Sequence, residues 1–240
     1  MLDTIKLCVP IEQCAINSPK VFKPSLNAFI RKNIKYICNP SKNSSLQGEY
    51  QPKLTLIKDF DNNNNLFIEF SAPKIVFGNN FDELETTDFE KVLYKLHDKL
   101  KILDIEIPLE VLRNAKVSAI HYSKNIELKN AQCVNLIEVI SKLDISKRFD
   151  VTKTDYKNGG QLVRFHTNSY ELAFYDKISD LQQSIISEKR AFEKNNIIQQ
   201  NLLQQLCNRE VLRMEVRLNK PKKIKFVAEK CNIDIDELSF

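Results

Sequence analysis

The sequence predicts an α+β fold organised around one central, mainly antiparallel sheet. Segments in which apolar and polar residues alternate recur along the chain, a pattern typical of strands with one buried face. Turns rich in asparagine and glycine favour hairpins between some of them. A stretch without glycine or proline at 178–208 predicts a long helix or a helical hairpin. With 240 residues, of which 42% are hydrophobic, the chain is long enough for a single domain spanning 1–240.

The N-terminal half is predicted to consist mainly of strands. Residues 3–9 alternate cleanly and end at Pro10, which suits a sheet edge or a turn. The asparagines of 61–65 tolerate the positive φ that a tight connection needs, so 54–60 and 66–70 form a candidate hairpin. The other elements predicted here are a short helix within 22–33, a loop at 40–48, and a strand-and-turn unit at 71–80.

The C-terminal half is predicted to mix helices and strands. Thr87 and Glu90 have the spacing of a capping box at the start of a helix, and residues 157–160, Lys-Asn-Gly-Gly, form a hairpin turn. Asn195 and Asn196 would divide the helical stretch into two antiparallel halves. The other predicted elements are helices at 109–114, 131–143 and 223–231 and strands at 117–122, 149–155, 161–167, 172–177 and 211–218.

Two strands carry candidate reactive groups on one side. Side chains alternate between the two faces of an extended segment. Arg213, Glu215 and Arg217 therefore face away from the apolar residues between them, and Tyr175 shares a side with Lys177. The sequence thus predicts a sheet with one apolar face and one chemically active face.

Composition and motifs exclude several classes of protein. The net charge is +5, and eight basic residues against three acidic ones fall between positions 209 and 230, which suggests either a polyanion-binding side or a solvated lysine-rich edge. The six cysteines form no CxxC pair and no zinc-type spacing with the three histidines, so we expect reduced thiols in a cytoplasm. No apolar run is long enough to span a membrane. No P-loop, Rossmann, nucleophile-elbow or zincin motif occurs.

Tyr175 is the candidate nucleophile. Most tyrosines in this setting are ordinary half-buried strand residues, and Tyr175 is distinguished by its neighbours. A phenol that attacks phosphorus needs a cation to stabilise the phenolate and the charge that develops on the phosphoryl group. Lys177, on the same predicted strand face, can supply that cation.

Glu215 is a candidate metal ligand, expected on the wall of a groove. A carboxylate there can hold a divalent metal while Arg213 and Arg217 grip phosphate oxygens. The alternative is a surface ion-pair ladder of little energetic value. His121 is a second candidate ligand, although a half-exposed strand histidine without a ligand is the commoner situation. Asp180 is a further candidate carboxylate.

Five segments of the chain, in their order and spacing, resemble one protein family. They are 2–7, 68–80, 117–128, Phe-Tyr-Asp-Lys at 174–177 and Leu-Arg-Met-Glu-Val-Arg at 212–217. Together they resemble the gene II/X replication initiators of filamentous phages and related plasmid rolling-circle initiators. In that family an Arg-x-Asp strand and an Arg-x-Glu strand hold a divalent metal, and the tyrosine of a Tyr-x-Lys strand attacks DNA.

The resemblance implies a metal-dependent enzyme that nicks and rejoins one DNA strand at a replication origin. Tyr175 would form a 5′-phosphotyrosine link and leave a free 3′-OH primer. Lys177, Arg213 and Glu215 match family positions, and Asp180 falls where an acidic residue follows the lysine. The basic residues expected to contact DNA are Arg213, Arg217, Lys220, Lys222 and Lys223.

The resemblance also implies a cofactor, partners and a fold. The cofactor would be Mg²⁺ or Mn²⁺. The partners would be single-stranded or supercoiled origin DNA together with the host helicase and polymerase, in a bacterial cytoplasm and away from membranes. The implied fold is that of the HUH-type endonucleases, with helices on one face of the sheet and DNA on the other.

The first family motif differs in this chain, because Ala119 stands in place of arginine and His121 in place of aspartate. Histidine can bind the same metals, with a preference shifted toward Mn²⁺. The family usually continues beyond the point where this chain ends, which is consistent with a short form. Two alternatives therefore stay open: a non-catalytic origin-binding or regulatory variant, and a general basic nucleic-acid-binding module.

Overall fold

The computed structural model describes residues 1–18, 22–30, 33–38, 49–59, 64–144, 148–186, 197–206, 208–233 and 240. Within these ranges the chain forms a ten-stranded sheet, a separate pair of short strands and seven α-helices, which confirms the α+β class. The strands are β1 Leu2–Pro10, β2 Ala15–Ile16, β3 Lys23–Ile30, β4 Asn33–Cys38, β5 Lys53–Asp59, β6 Asn65–Ser71, β7 Ile105–Glu106, β8 Lys116–Glu127, β9 Asp150–Asp155, β10 Gln161–His166, β11 Tyr170–Asp176 and β12 Val211–Leu218. The helices are α1 Ala72–Phe77, α2 Phe89–Ile102, α3 Leu109–Arg113, α4 Cys133–Ser141, α5 Lys177–Ile186, α6 Ile197–Leu206 and α7 Pro221–Lys230.

The strand order of the large sheet contains an internal repeat that the sequence does not show. The order is β3-β4-β5-β6-β1-β8-β12-β11-β10-β9, and neighbouring strands pair antiparallel. The N-terminal half-sheet (β1 and β3–β6) and the C-terminal half-sheet (β8–β12) meet at the β1–β8 pair. In each half the first strand lies at the centre, the last strand lies beside it, and the others continue outward in reverse order.

The strand register confirms the predicted division of the sheet into two faces. Ile5, Ile120, Leu218 and Tyr170 lie opposite one another across four strands and define the apolar face. His121, Arg217 and Glu171 form the adjacent row, on the polar face. Hydrogen bonding between strands therefore aligns the polar residues of separate segments on one side.

The helices cover both faces, which corrects the expectation that they lie on one. The buried residues of α1, α2, α3 and α7 share a core with the apolar face of the central strands. Helix α4 packs on the same face of the C-terminal half-sheet through Cys133, Ile137 and Leu212. Helices α5 and α6 instead pack with Val211, which shares its strand side with Arg213 and Glu215. They therefore cover the polar face.

Two predicted elements in the N-terminal half are wrong. The expected helix within 22–33 is strand β3, which pairs with β4 at the sheet edge, where the missing N–H of Pro24 is tolerated. The expected strand-and-turn unit at 71–80 contains helix α1. Pro73 suits the first turn of this helix, and Gly78 ends it in the left-handed conformation at φ 75°.

Most other predicted elements are confirmed, with shifted bounds. The capping box before α2 is formed by Glu85 and Asp88 rather than by Thr87 and Glu90. The stretch 178–208 contains α5 and α6, which contact each other, so the helical hairpin is the correct alternative. The predicted loop at 40–48, the Asn195–Asn196 break and most of the 61–65 connection lie outside the described residues.

Five of the six cysteines lie in the described part of the chain. Cys8, Cys14, Cys38, Cys133 and Cys231 are free thiols, and Cys207 lies outside the described residues. Across the described ranges, no helix combines the length and the apolar character needed to cross a membrane.

Candidate functional site

Three adjacent strands bring the candidate residues together on the polar face. Tyr175 on β11 lies opposite Arg213 on β12, and Arg213 lies opposite Asn125 on β8. Glu215 projects from the next polar-face position of β12. The hydroxyl Oη of Tyr175 donates a hydrogen bond of 2.6 Å to Oε1 of Glu215. The antiparallel register therefore places a phenol and a carboxylate in direct contact, although forty positions separate them in sequence.

Arg213 is the fully buried centre of this site. Its Nε donates to Oε1 of Glu215 at 3.0 Å, and its Nη2 donates to Oδ1 of Asp3 at 2.8 Å. Its Nη1 donates to the backbone oxygen of Asn80 at 2.7 Å and to Oδ1 of Asn125 at 3.0 Å. A buried guanidinium is stable only when its donors find partners, and all three nitrogens of Arg213 do.

Arg217 donates hydrogen bonds to the second carboxylate oxygen of Glu215. Its Nη2 and Nε donate to Oε2 of Glu215 at 2.6 and 2.8 Å, and its Nη1 donates to Glu171 at 2.9 Å. Burial alone would raise the pKa of Glu215, but the two guanidinium groups and the hydrogen bond from Tyr175 outweigh it and lower that pKa. Glu215 is therefore ionised, with both oxygens engaged.

The sequence suggested that Glu215 lies on the wall of an open groove, but in the structure Glu215 is enclosed. It is 3% exposed and Tyr175 is 6% exposed, because α5 and α6 pack over this part of the polar face. Burial, followed by the Glu215 carboxylate, raises the pKa of Tyr175 well above 10.0. Tyr175 is therefore a neutral phenol in a closed network.

Lys177 reaches the same network from a helix rather than from the strand. Strand β11 ends at Asp176, whose carboxylate accepts hydrogen bonds from the backbone N–H and hydroxyl of Ser179 and so caps α5. Lys177 is the first helical residue and is fully buried. Its Nζ donates to Oδ1 of Asn80 at 2.8 Å, lies 3.6 Å from Asp180, and lies 6.0 Å from the centre of the Tyr175 ring.

The surroundings of Lys177 lower the pKa of its ammonium group. Burial first, and then the nearby charge of Arg213, lower the pKa of Lys177 to about 7, and Asp180 only partly opposes them. A lysine with this pKa exchanges its proton near neutral pH, which is a property of lysines used in acid–base chemistry.

His121 lies beside the network. It is opposite Arg217 on the polar face, and its Nε2 is 3.1 Å from Oδ1 of Asn219. Burial first, and then the charge of Arg217, lower the pKa of His121. Ala119, two residues earlier, is buried opposite Lys6 and contributes no polar group.

The candidate metal ligands do not fit a divalent cation in this arrangement. Both oxygens of Glu215 accept hydrogen bonds from guanidinium groups, Asp180 pairs with Lys177, and His121 contacts Asn219. Within the described ranges, no three histidine, cysteine or acidic side chains are grouped as a metal site requires. We therefore derive no chemical step through a metal.

The residues expected to contact DNA are divided between the two faces. Arg213 and Arg217 lie on the polar face, inside the network. Lys220 precedes α7, and Lys222 and Lys223 lie in its first turn, on the apolar-face side of the sheet. These two groups of basic residues therefore cannot form one continuous surface.

Sequence reasoning missed four residues that hold the network together: Asp3, Asn80, Asn125 and Glu171. The first three belong to segments that carried the family resemblance, namely 2–7, 68–80 and 117–128. The polar residues within those segments were thus a usable signal. Glu171 lies one position before the segment 172–177 that was chosen as a strand.

Comparison of the chain with protein-family models and with curated proteins finds no match. The fold and the site therefore define the protein at the level of an α+β sheet protein with a buried tyrosine–carboxylate–guanidinium network.

Proposed function

We propose that the chain is an HUH-type rolling-circle replication initiator that nicks one DNA strand with Tyr175 as its nucleophile. The contact between Tyr175 Oη and Glu215 Oε1, at 2.6 Å, carries this proposal. A phenol with a carboxylate acceptor and with two cations nearby, Arg213 and Lys177, has the groups that phosphoryl transfer to tyrosine requires.

The groups of the network have complementary roles in the proposed reaction. Tyr175 Oη attacks the phosphorus and passes its proton to Glu215, while the bond between phosphorus and the 3′ oxygen breaks. Lys177, with a pKa of about 7, gives a proton to the departing 3′ oxygen. Arg213 stabilises the charge on the phosphoryl oxygens. The products are a 5′-phosphotyrosine and a free 3′-OH.

The polar face of the N-terminal half-sheet supports binding of a DNA strand beside this site. It presents Lys6, Lys35 and Lys53, all partly exposed. Partly exposed lysines on neighbouring strands of one face can contact the phosphate backbone of a DNA strand.

A second candidate function is origin binding without catalysis, by which the chain represses or competes with a full-length initiator. The burial of Tyr175 favours it, since a phosphate can reach the hydroxyl only if α5 moves away from the polar face. The full engagement of Glu215 by two arginines also favours it, because a saturated carboxylate is a weak proton acceptor.

Cleavage of supercoiled DNA that carries the cognate origin tests the first proposal. Wild-type protein with Mg²⁺ or Mn²⁺ should convert the DNA to the nicked form and remain covalently attached to it, whereas Tyr175→Phe should not. Tyr170→Phe is the matched control, because Tyr170 lies on the same strand but on the apolar face. Covalent adducts that persist in Tyr175→Phe would remove Tyr175 as the nucleophile.

The same assay separates the two candidate functions. If wild-type protein binds the origin with specificity but leaves it intact with either metal, the regulatory function is supported and the nicking function is rejected. The variant His121→Asp then restores the aspartate of the first family motif and tests whether that departure causes the inactivity. Cleavage by the wild-type protein rules out pure repression.

A further inference from the structure

Helix α7 is fixed to the apolar face of the sheet by one side. Ile224 and Ala228 are buried, and Val227 packs against the core that α7 shares with β8 and β12. Nζ of Lys223 lies 5.0 Å from the ring centre of Tyr170, an apolar-face residue. The opposite side of α7 is therefore held in a defined orientation toward solvent.

The outward side of α7 is strongly basic. Between positions 220 and 230 there are five lysines and one glutamate. Lys222, Lys225 and Lys230 are exposed. Lys222 and Lys230 are separated by about 12 Å along the helix at 1.5 Å per residue. The outward side, which also carries the exposed Glu229, therefore presents several positive charges rather than a single basic group.

Phe226 lies among these lysines and is 48% exposed. Nζ of Lys223 lies 4.6 Å and Nζ of Lys230 lies 5.9 Å from the centre of its ring. Ammonium groups over a ring are held in place by cation–π attraction. Because the two lysines occupy the ring, Phe226 orders their charges and is not an open platform for stacking unpaired bases.

We infer that α7 is a second DNA-binding surface, which holds the phosphate backbone of duplex DNA on the sheet face opposite Tyr175. The inference rests on the proposed function for the choice of DNA as the ligand. Charge complementarity favours a polyanion, and the occupied ring of Phe226 favours backbone phosphates over bases. Since the sheet separates α7 from Tyr175, the DNA segment on α7 is distinct from the strand at the tyrosine.

The dependence of duplex binding on salt tests this inference. The probe is a short duplex of random sequence, and the variant is Lys222→Gln/Lys225→Gln/Lys230→Gln. Each phosphate contact contributes about −0.9 to the slope of log affinity against log salt, so the slope should become shallower by about 2 to 3. The matched control is Lys91→Gln/Lys101→Gln/Lys129→Gln, which removes three exposed lysines outside α7 and should shift the slope by less than about one.

A footprint on the wild-type protein gives a second readout that does not depend on folding of a variant. Acylation of lysines should be slowed by the duplex at Lys222, Lys225 and Lys230 and unchanged at Lys91 and Lys101. Equal slopes in the two triple variants, or equal protection of both lysine sets, would overturn the inference. Stronger binding of α7 to anionic phospholipid vesicles than to the duplex would also overturn it, in favour of a membrane surface.

The two proposals fail separately. Neither binding readout involves strand cleavage, so a negative result at α7 leaves the assignment of Tyr175 intact. A Tyr175→Phe variant that still cleaves DNA would reject the nicking function and leave the binding result unchanged.

Discussion

The two half-sheets have the same strand order, but the charged residues of the polar face are exposed in the N-terminal half and buried in the C-terminal half. In the C-terminal half, α5 and α6 lie in the chain between β11 and β12 and pack over the polar face. In the N-terminal half, the chain passes between the equivalent strands β5 and β6 through residues 60–64, and Lys53 and Glu69 remain 44% and 39% exposed. The same topology therefore gives a solvated ion pair in one half and a sealed network in the other.

This difference shows which interactions charged residues need when helices cover them. An exposed ion pair in water contributes between about 0 and 1 kcal/mol, so its members can be lost at little cost. A charge buried under a helix needs a partner for every donor and acceptor, and Arg213 has four. Covering the polar face thus changes its charges from solubilising groups into structural ones.

Removing the central cation should have the largest effect. Arg213→Met removes the cation that pairs with buried Asp3 and one of the two that pair with buried Glu215, and it should lower the free energy of unfolding by about 3–5 kcal/mol, measured by urea denaturation. Arg113→Met is the control, because it breaks a more exposed pair with Glu90 and should destabilise the protein much less than Arg213→Met. Equal losses in the two variants would contradict the contrast between sealed and solvated charges.

Displacing α5 from the polar face should have the next largest effect on stability. Gly160 lies against α5, and a Cβ at this position would fall 2.2 Å from Cβ of Ser179. Gly160→Ala should therefore push α5 away from the sheet and destabilise the protein by about 1–3 kcal/mol. Hydrogen exchange should rise in α5 but not in α2. A uniform rise in both helices would show that α5 does not open as a separate unit.

The buried ammonium should make stability depend on pH. The pKa of Lys177 is lowered from 10.5 to about 7, so between these values the unfolded chain carries a proton on Lys177 that the folded chain lacks. The free energy of unfolding should therefore rise with pH above about 7, by at most about 1.4 kcal/mol per pH unit. This contribution is the difference between wild type and Lys177→Met in urea titrations. If the difference in free energy of unfolding between wild type and Lys177→Met instead falls with pH, the pKa of Lys177 is not lowered in the folded protein.

Removing a charge from the exposed polar face of the N-terminal half-sheet should have the smallest effect on stability. Lys53→Met removes a partner that lies 3.5 Å from Glu69, and the free energy of unfolding should change by less than about 1 kcal/mol. A calorimetric scan of this variant beside Arg213→Met would quantify the difference between the half-sheets. A loss near that of Arg213→Met would mean that the polar face of the N-terminal half is also structurally closed.

The sequence predicted those elements whose pattern is decided locally. Strand β12 was predicted at 211–218 because apolar and charged residues alternate from Leu212 to Leu218, and the structure has the same bounds. Helix α1 was missed because residues 71–80 were predicted as a strand and a turn, whereas this six-residue helix depends on burial of Ile75 and Val76 in the core. Strand β3 was missed because it is specified mainly by its pairing with β4.

The site was predictable in its members but not in its environment. Alternation brought Arg213, Glu215 and Tyr175 to one face, and the register confirms their proximity. Alternation does not reveal what covers that face, so the burial of Tyr175 and the pKa of Lys177 could not be foreseen. Both depend on α5, whose position is set by tertiary packing rather than by the pattern of β11.

The β1–β8 ladder also has a consequence for how the chain folds. It pairs Ile5 with Ile120, and it is the hydrogen-bonded seam between the two half-sheets. Each half contains hairpins between strands that are close in sequence, together with one long-range pairing, β1–β6 or β8–β12. The seam closes a still longer loop, and long-range pairings of that kind are slow to form. The two halves can therefore acquire structure separately before the seam joins them. Asp3 reaches Arg213 across that seam, so the buried network is complete only when the two half-sheets are paired.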